Sequence, residues 1–203
     1  MKIYCATTNP GKLHEFRAAI ERFSGGLLDL EVLPQTESIP PCEETGATFE
    51  ENAVQKAVYY SGHVPGPLFA DDSGLEVQAL GGAPGVLSAR FAGAEASDEE
   101  NNRLLLAKLS GVADRAAQFV CVIAVAEQGR LIGTFRGAVK GRILEEPRGA
   151  NGFGYDPLFY YDAFGRTFGE VSAEQKLQVS HRARALEKMV RFLTGASASD
   201  SIS

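Results

Sequence analysis

The chain has 203 residues, 44% of them hydrophobic and 23% charged, enough to bury a real core in one large domain or two closely packed lobes. Its net charge of -6 argues against a broad nucleic-acid-binding face, which needs clustered Lys and Arg, but not against a small anionic substrate held by a few local cations. Cys5, Cys42 and Cys121 have no metal-ligand or redox spacing, and no apolar run approaches the roughly 20 residues of a bilayer span. A reducing cytoplasm, with no membrane partner, is the expectation.

Ile3 to Ala6 reads as a short buried strand and Thr7 to Gly11 as a turn. A helix follows from about Lys12, with Leu13, Phe16, Ile20 and Phe23 at helical spacing and Gly25-Gly26 as its stop. Leu27 to Leu33 alternates weakly as a strand, and Pro34 to Gly46, with three prolines, is a loop. Thr48 and Glu51 form a capping box for a second helix carrying Phe49, Ala53, Ala57 and Tyr60 on one face. Leu68-Phe69-Ala70 is a strand ending in Asp71-Asp72-Ser73-Gly74, after which Leu75, Val77 and Ala79 resume the alternation. Gly81 to Gly85 is a loop, and Ser97 with Glu100 caps a third helix. Phe119 to Ala126 and Leu131 to Val139 form a long hairpin closed near Gln128-Gly129. Arg148 to Tyr155 is a glycine-rich loop and Pro157 to Tyr161 a strand. Ser172 and Ser180 cap two successive helices, and Gly195 to Ser203 is small and polar, a frayed tail. Helices and strands alternate without strict order, so the fold class is α/β with a mixed sheet.

Four constellations carry chemistry. Thr7-Thr8-Asn9-Pro10-Gly11-Lys12 brings a strand end, a turn and a helix start together. Free N–H groups, the helix dipole and the Lys12 cation there would suit phosphate, although the spacing is not that of a Walker A loop and a plain strand-turn-helix with a solvated lysine has the same pattern. Glu43-Glu44 and Asp71-Asp72 offer hard oxygen ligands of the kind Mg²⁺ takes. Neighbouring aspartates on a strand point to opposite sides, and Asp-Ser-Gly is also ordinary turn chemistry. Charges directly after an apolar run are costly unless solvated at a cleft or bound. In the loop Gly149 to Pro157, glycines allow close approach of a ligand, Phe153 is placed to stack on a flat ring, and Asp156 to accept from ring N–H groups; a long hairpin loop is the bland alternative. Lys176 and Ser180-His181-Arg182 form a donor cluster at a helix start. Lys56 is by default a solvated lysine on the polar face of the second helix. His14 and His63 receive no role.

Taken together, TTNPGK (7–12), EETGATFEENAVQKA (43–57), ADDSGLEVQALGGAPGVLSARFAG (70–93), GANGFGYDPLF (149–159) and SHRARAL (180–186) resemble the inosine triphosphatase, or dITP/XTP pyrophosphatase, family in its own order over nearly the whole chain. The resemblance implies a long mixed sheet flanked by helices, in two lobes with a cleft between them, over residues 1–195, with a flexible tail at 196–203. It implies a homodimer and Mg²⁺-dependent hydrolysis of ITP, dITP and XTP between the α- and β-phosphates, which keeps deaminated purines out of DNA and RNA. By the same resemblance Thr7, Thr8, Asn9, Pro10, Gly11 and Lys12 bind the triphosphate, and Glu44 and Asp72 match the metal carboxylates. Asp72 also matches the general base, Lys56 an active-site lysine and Ser73 a substrate contact. Phe153, Gly154, Tyr155 and Asp156 match the base-binding loop, and Lys176, His181 and Arg182 further substrate contacts. Leu177 and Gln118 depart from the pattern, the latter standing where an arginine is common. The competing readings are a Maf-like pyrophosphatase for other modified nucleotides and a nucleotide sensor without catalysis.

Overall fold

In the computed structural model, which describes residues 1–34 and 39–195, the apolar run after Lys2 becomes β1 (Lys2–Cys5), buried from Ile3 onward. A strand apolar on both faces needs strands at both edges and cover on both sides. β1 pairs in parallel with β2 (Asp29–Val32) at one edge and with β3 (Leu68–Val77) at the other. The seven-stranded sheet runs β2-β1-β3-β4-β5-β6-β7, with β4 at Ala116–Glu127, β5 at Arg130–Ile143, β6 at Phe159–Tyr161 and β7 at Arg166–Thr167. β6 is antiparallel to both β5 and β7, so the sheet is mixed. The two-residue bend at Gln128-Gly129 closes β4 onto β5 with both residues at positive φ, 49° and 76°, the backbone that a tight hairpin demands.

The helices start where local side chains satisfy their first N–H groups. Asn9, not the expected turn at Gly11, caps α1 (Pro10–Ser24): its side chain accepts from the Lys12 N–H, and Pro10 occupies the first turn, where no N–H is needed. Gly25, at φ 56°, ends the helix. α2 (Phe49–Ser61) and α3 (Asp98–Lys108) begin with the expected capping boxes, Thr48 with Glu51 and Ser97 with Glu100. A third box, Ser172 with Gln175, opens the short α4 (Ala173–Leu177), and α5 spans His181–Thr194. The expected tail at 196–203 and part of the loop after Pro34 lie outside the described residues. No helix among the described residues is long and apolar enough to cross a membrane.

The chain forms two compact units. Among the described residues, the first comprises 1–34, 39–72, Cys121–Gly137 and 182–195; the second comprises Ser73–Val120 and Ala138–His181. Phe16 and Phe69, fully buried, meet edge to face at 5.2 Å in the first unit. In the second unit, Phe119, Phe159 and Phe168 pack with Leu75, Leu105 and Leu158.

One sequence expectation is corrected. Asp71-Asp72-Ser73-Gly74 is not a turn between two strands: β3 runs through it without a break. Gly74 serves close packing instead. A Cβ there would lie 2.6 Å from the Gly85 carbonyl oxygen and 2.3 Å from Ser88 Oγ, in the 3-10 turn Gly85–Arg90. That hydroxyl accepts the Leu75 N–H at 2.9 Å and donates to the Gly85 carbonyl at 2.6 Å. Because a backbone oxygen has no rotamer to retreat into, Gly74→Ala is expected to cost about 2 kcal/mol. In a thermal melt that is a midpoint lowered by roughly 4–8 °C.

Candidate active site

In the first unit the strand alternation of β3 sends its two adjacent carboxylates to different helices. Asp71 Oδ2 accepts from Lys12 Nζ of α1 at 2.9 Å. Asp72 Oδ2 accepts from the Asn52 amide of α2 at 3.1 Å, and its Oδ1 from Lys56 Nζ at 3.3 Å. Lys56 also pairs with Glu44 Oε2 at 3.2 Å, so one ammonium draws Glu44 and Asp72 together. Arg182, at the start of α5, is buried and paired with Glu15, which lies one turn after Lys12. Thr7 Oγ1 accepts the Asn9 N–H at 3.2 Å, while Thr8 and Asn9, just ahead of the helix, and Pro10, its first residue, are exposed.

The charges in this cluster set each other's protonation. Burial alone would push Asp71 up, but Lys12, Arg182 and Lys56 outweigh it and bring its pKa down to about 2. Burial pushes Asp72 up, and the Lys56 ammonium and the Asn52 amide only partly offset this, while Asp71 and Glu44 add to the rise. Burial would lower Lys56, yet Asp72, Asp71 and Glu44 together hold it above its ordinary value. Four carboxylates (Glu15, Glu44, Asp71, Asp72) thus face three cations (Lys12, Lys56, Arg182), and Asp72 is the one left short of compensating charge. Among the described residues no group of three or more His, Cys, Asp or Glu is arranged to hold a metal. Glu44 and Asp72 alone suffice for Mg²⁺, which commonly takes one or two carboxylates and completes its shell with water and phosphate. A pair already converging on one cation, with negative charge to spare, fits that ion.

In the second unit the loop 149–157 is pinned by its own side chains. Asp156, buried, accepts the Phe153 N–H at 3.0 Å and Lys176 Nζ at 2.5 Å, both on Oδ2. That oxygen would lie 2.0 Å from a Cβ at Gly152, whose φ is 75°, so only glycine fits there. Lys176 Nζ also sits 5.0 Å from the centre of the half-buried Phe153 ring and 5.7 Å from that of Phe168, within cation–π range. The buried Tyr155 donates its hydroxyl to the Ser88 carbonyl at 2.8 Å, and burial together with the nearby Asp98 charge raises its pKa. His181 stacks on Phe119 at 4.8 Å with ring planes 14° apart. Ser73, half-buried, follows Asp72 in β3. A cavity of about 520 Å³ borders the loop, lined by Gly152, Phe153 and Gly154 with Asp98, Asn102 and Arg103 of α3.

The structure therefore joins Lys12, Glu44, Lys56, Asp72 and Arg182 in one ionic cluster, and Phe153, Gly154, Asp156 and Lys176 in one pinned loop. Two sequence readings change. Lys56 is not a solvated surface lysine: its side chain is only 12% exposed and lies between two carboxylates. Asp156 Oδ2, expected to face ring N–H groups, is occupied in folding the loop. Sequence reasoning missed Glu15, Asn52, Asp98 and Asn102. A faint signal existed for Asn52, one helical turn before Lys56, and for Glu15, one turn after Lys12.

Asp71 makes stability pH-dependent. Its folded pKa lies below the ordinary 3.8, so its contribution is present above that value and is lost as pH falls toward about 2. The amount is on the order of 2 kcal/mol. In chelator-treated buffer, the stability gap between the wild type and Asp71→Asn is expected to narrow as pH drops from about 5 to about 3, read from urea midpoints. A gap that stays constant would remove Asp71 from that role.

A model of the Ham1 family matches residues 3–192. A dITP/XTP pyrophosphatase of Syntrophobacter fumaroxidans is 51% identical over 186 residues, 92% of this chain and 79% of the relative. One from Exiguobacterium sp. is 47% identical over 189 residues, 93% of this chain and 95% of the relative. Among solved structures, the Staphylococcus aureus Ham1 protein matches with a TM-score of 0.85 at 41% identity, covering 97% of this chain and 100% of that one. A nucleoside-triphosphatase / dITP/XTP pyrophosphatase from Mycobacterium abscessus matches at 0.74 and 41% identity, covering 95% and 100%. With nearly the whole length accounted for in both sequence and fold, the chain belongs to the Ham1 family.

Proposed function

We propose that the chain is a nucleoside triphosphate pyrophosphatase that hydrolyses dITP, XTP and ITP to the monophosphate and pyrophosphate, the activity for which its curated relatives are named in the case of dITP and XTP. The observation that carries the reading is the convergence of Glu44 and Asp72 on the Lys56 ammonium, 3.2 and 3.3 Å away, beside the Lys12–Asp71 pair at the start of α1. A triphosphate brings about four negative charges and needs both cations and a placed water. Glu44 and Asp72 would hold Mg²⁺. When bound, that ion neutralises phosphate charge and lowers the pKa of its water.

In this reading Asp72 orients and deprotonates the water that attacks the α-phosphorus in line. Asn52 fixes the Asp72 carboxylate through Oδ2, leaving Oδ1, which now faces Lys56, as the proton acceptor. Lys12 and Lys56 stabilise charge on the departing pyrophosphate, and the segment Thr7 to Gly11, with the exposed cap at Asn9, binds the phosphates. Ser73, next in β3, contacts the substrate. Phe153 stacks on the base, with Gly154 and Tyr155 shaping its loop.

Selectivity rests on hydrogen-bond sense. Hypoxanthine and xanthine present an acceptor at O6, whereas adenine presents an amino donor there. Donors from His181 and loop N–H groups would be left unpaired against adenine, a mismatch worth a factor of about 10⁴, while Arg182 remains with the ionic cluster of the first unit. The role that follows is removal of deaminated purines from the nucleotide pool in the cytoplasm, by a homodimer.

Incubation with ITP and Mg²⁺ is expected to yield inosine monophosphate and pyrophosphate; diphosphate plus phosphate would refute the reading. Asp72→Asn should lose at least about 100-fold in kcat, the scale of a lost general base. Because burial already penalises the Asp72 charge, the same variant should melt no lower than the wild type.

A further inference from the structure

The ring of Phe153 is flanked by Gly152 and Gly154, both at positive φ, 75° and 61°. Glycines supply conformational freedom and no side chain of their own to hold a position. An isolated loop of this composition would sample many orientations of that ring. Here backbone groups next to the ring are tied down, one within the loop and two from outside it. The Phe153 N–H goes to Asp156. The peptide groups of Gly154 go to α3: Asp98 Oδ2 accepts its N–H at 2.6 Å, and Asn102 Nδ2 donates to its carbonyl at 3.0 Å. Asp98 and Asn102 are four residues apart, hence stacked on one face of the helix. That face lines the cavity that borders Phe153. The helix end is itself fixed, because Ser97 and Glu100 close its capping box.

Resting on the proposed function, we infer that Asp98 and Asn102 are positioning residues for nucleobase recognition: they clamp the Gly154 peptide groups and so set the angle at which Phe153 meets the base. Three features favour this over a merely structural tie. The Asp98 contact is short and charge-assisted, the strong kind of hydrogen bond. It is spent on a glycine whose added Cβ would meet nothing within 4 Å, so no packing at Gly154 requires it. And the Asn102 amide is oriented by its donor end alone, since its buried Oδ1 has no hydrogen-bond partner among the described residues. An orphaned buried acceptor is a cost to the fold, so this side chain is better placed for holding the loop than for stabilising the protein.

The clamp acts on base binding and leaves the triphosphate cluster of the first unit untouched. Steady-state kinetics on dITP, the inhibition constant of inorganic triphosphate and thermal melts separate the possibilities. Asp98→Ala is expected to raise KM for dITP about tenfold, the scale of one lost charge-assisted hydrogen bond. kcat should stay within about twofold, and triphosphate inhibition should be unchanged. Asp98→Asn, which keeps an oxygen acceptor, should restore most of the KM. Asn102→Leu should raise KM without lowering the melting temperature, because it also removes the orphaned acceptor. Unchanged KM in both Asp98→Ala and Asn102→Leu would overturn the proposal, as would a rise in KM matched by the same rise for inorganic triphosphate. If the wild type itself fails to hydrolyse dITP and XTP, the functional reading falls; if it turns them over normally while the variants keep wild-type KM, only the clamp falls.

Discussion

Two adjacent carboxylates in the middle of a buried strand are the constraint around which the first unit is built. Asp71 and Asp72 are both nearly inaccessible, and an uncompensated buried carboxylate costs several kcal/mol. Successive side chains leave opposite faces of the strand, so one cation cannot hydrogen-bond both, although Lys56 reaches Asp71 through the field. Each face must therefore bring its own helix with its own lysine: α1 with Lys12 for Asp71, α2 with Lys56 and Asn52 for Asp72. Helices on both sides of the β1–β3 layer are then an electrostatic requirement as well as a hydrophobic one. The compensation is uneven. Asp71 is held well below the usual carboxylate range, whereas Asp72 is pushed up. The strand thus carries one carboxylate committed to the fold and one whose charge the fold alone does not satisfy, which is the expected mark of a functional group.

The second unit solves a different problem, the ordering of a loop with little side-chain mass of its own. Ordering backbone costs roughly 1–2 kcal/mol per residue, and more for glycine. The structure offsets this with side chains that reach the loop's own amides and carbonyls. Asp156 folds back on Phe153, Asp98 and Asn102 reach Gly154, and Thr167 Oγ1 donates to the Arg148 carbonyl at 2.7 Å. Gly149 permits close approach elsewhere in the loop, because a Cβ there would lie 2.0 Å from the Gly169 carbonyl oxygen.

What the sequence made legible was local. The capping boxes at Thr48, Ser97 and Ser172, the stop at Gly25 and the bend at Gln128-Gly129 each encode hydrogen bonds closed within a few residues, and each is visible as a short pattern. The failures share a cause too. Asp71 to Gly74 looked like a turn because turn glycines and close-packing glycines are the same residue; the distinction lies in Ser88 and Gly85, more than ten positions away. Lys56 looked solvated because its partners come from a loop and from another strand. β7, two residues long, carries too little periodicity to be read at all. The roles proposed for Glu44, Asp72 and Lys12 rest on resemblance across five ordered segments, not on any one segment's chemistry, since the Lys12–Asp71 contact spans 59 positions.

The placement of Lys56 bears on how the proposed reaction is regulated by its own substrate. Without ligand, the ammonium is what keeps Glu44 and Asp72 from repelling each other. A magnesium-bound triphosphate changes both sides of that balance together. The carboxylates would gain a divalent partner, and phosphate oxygens would compete for the lysine. In the proposed reaction, the charge that holds Glu44 and Asp72 together beforehand would then be freed to stabilise the leaving group. Metal without nucleotide would compete with Lys56 while offering the displaced ammonium no new anion, and nucleotide without metal would bring more negative charge to a cluster already short of cations. On the proposed function, either alone would be disfavoured relative to both, and the ion-pair arrangement would couple metal binding to substrate binding through electrostatics, without a moving part.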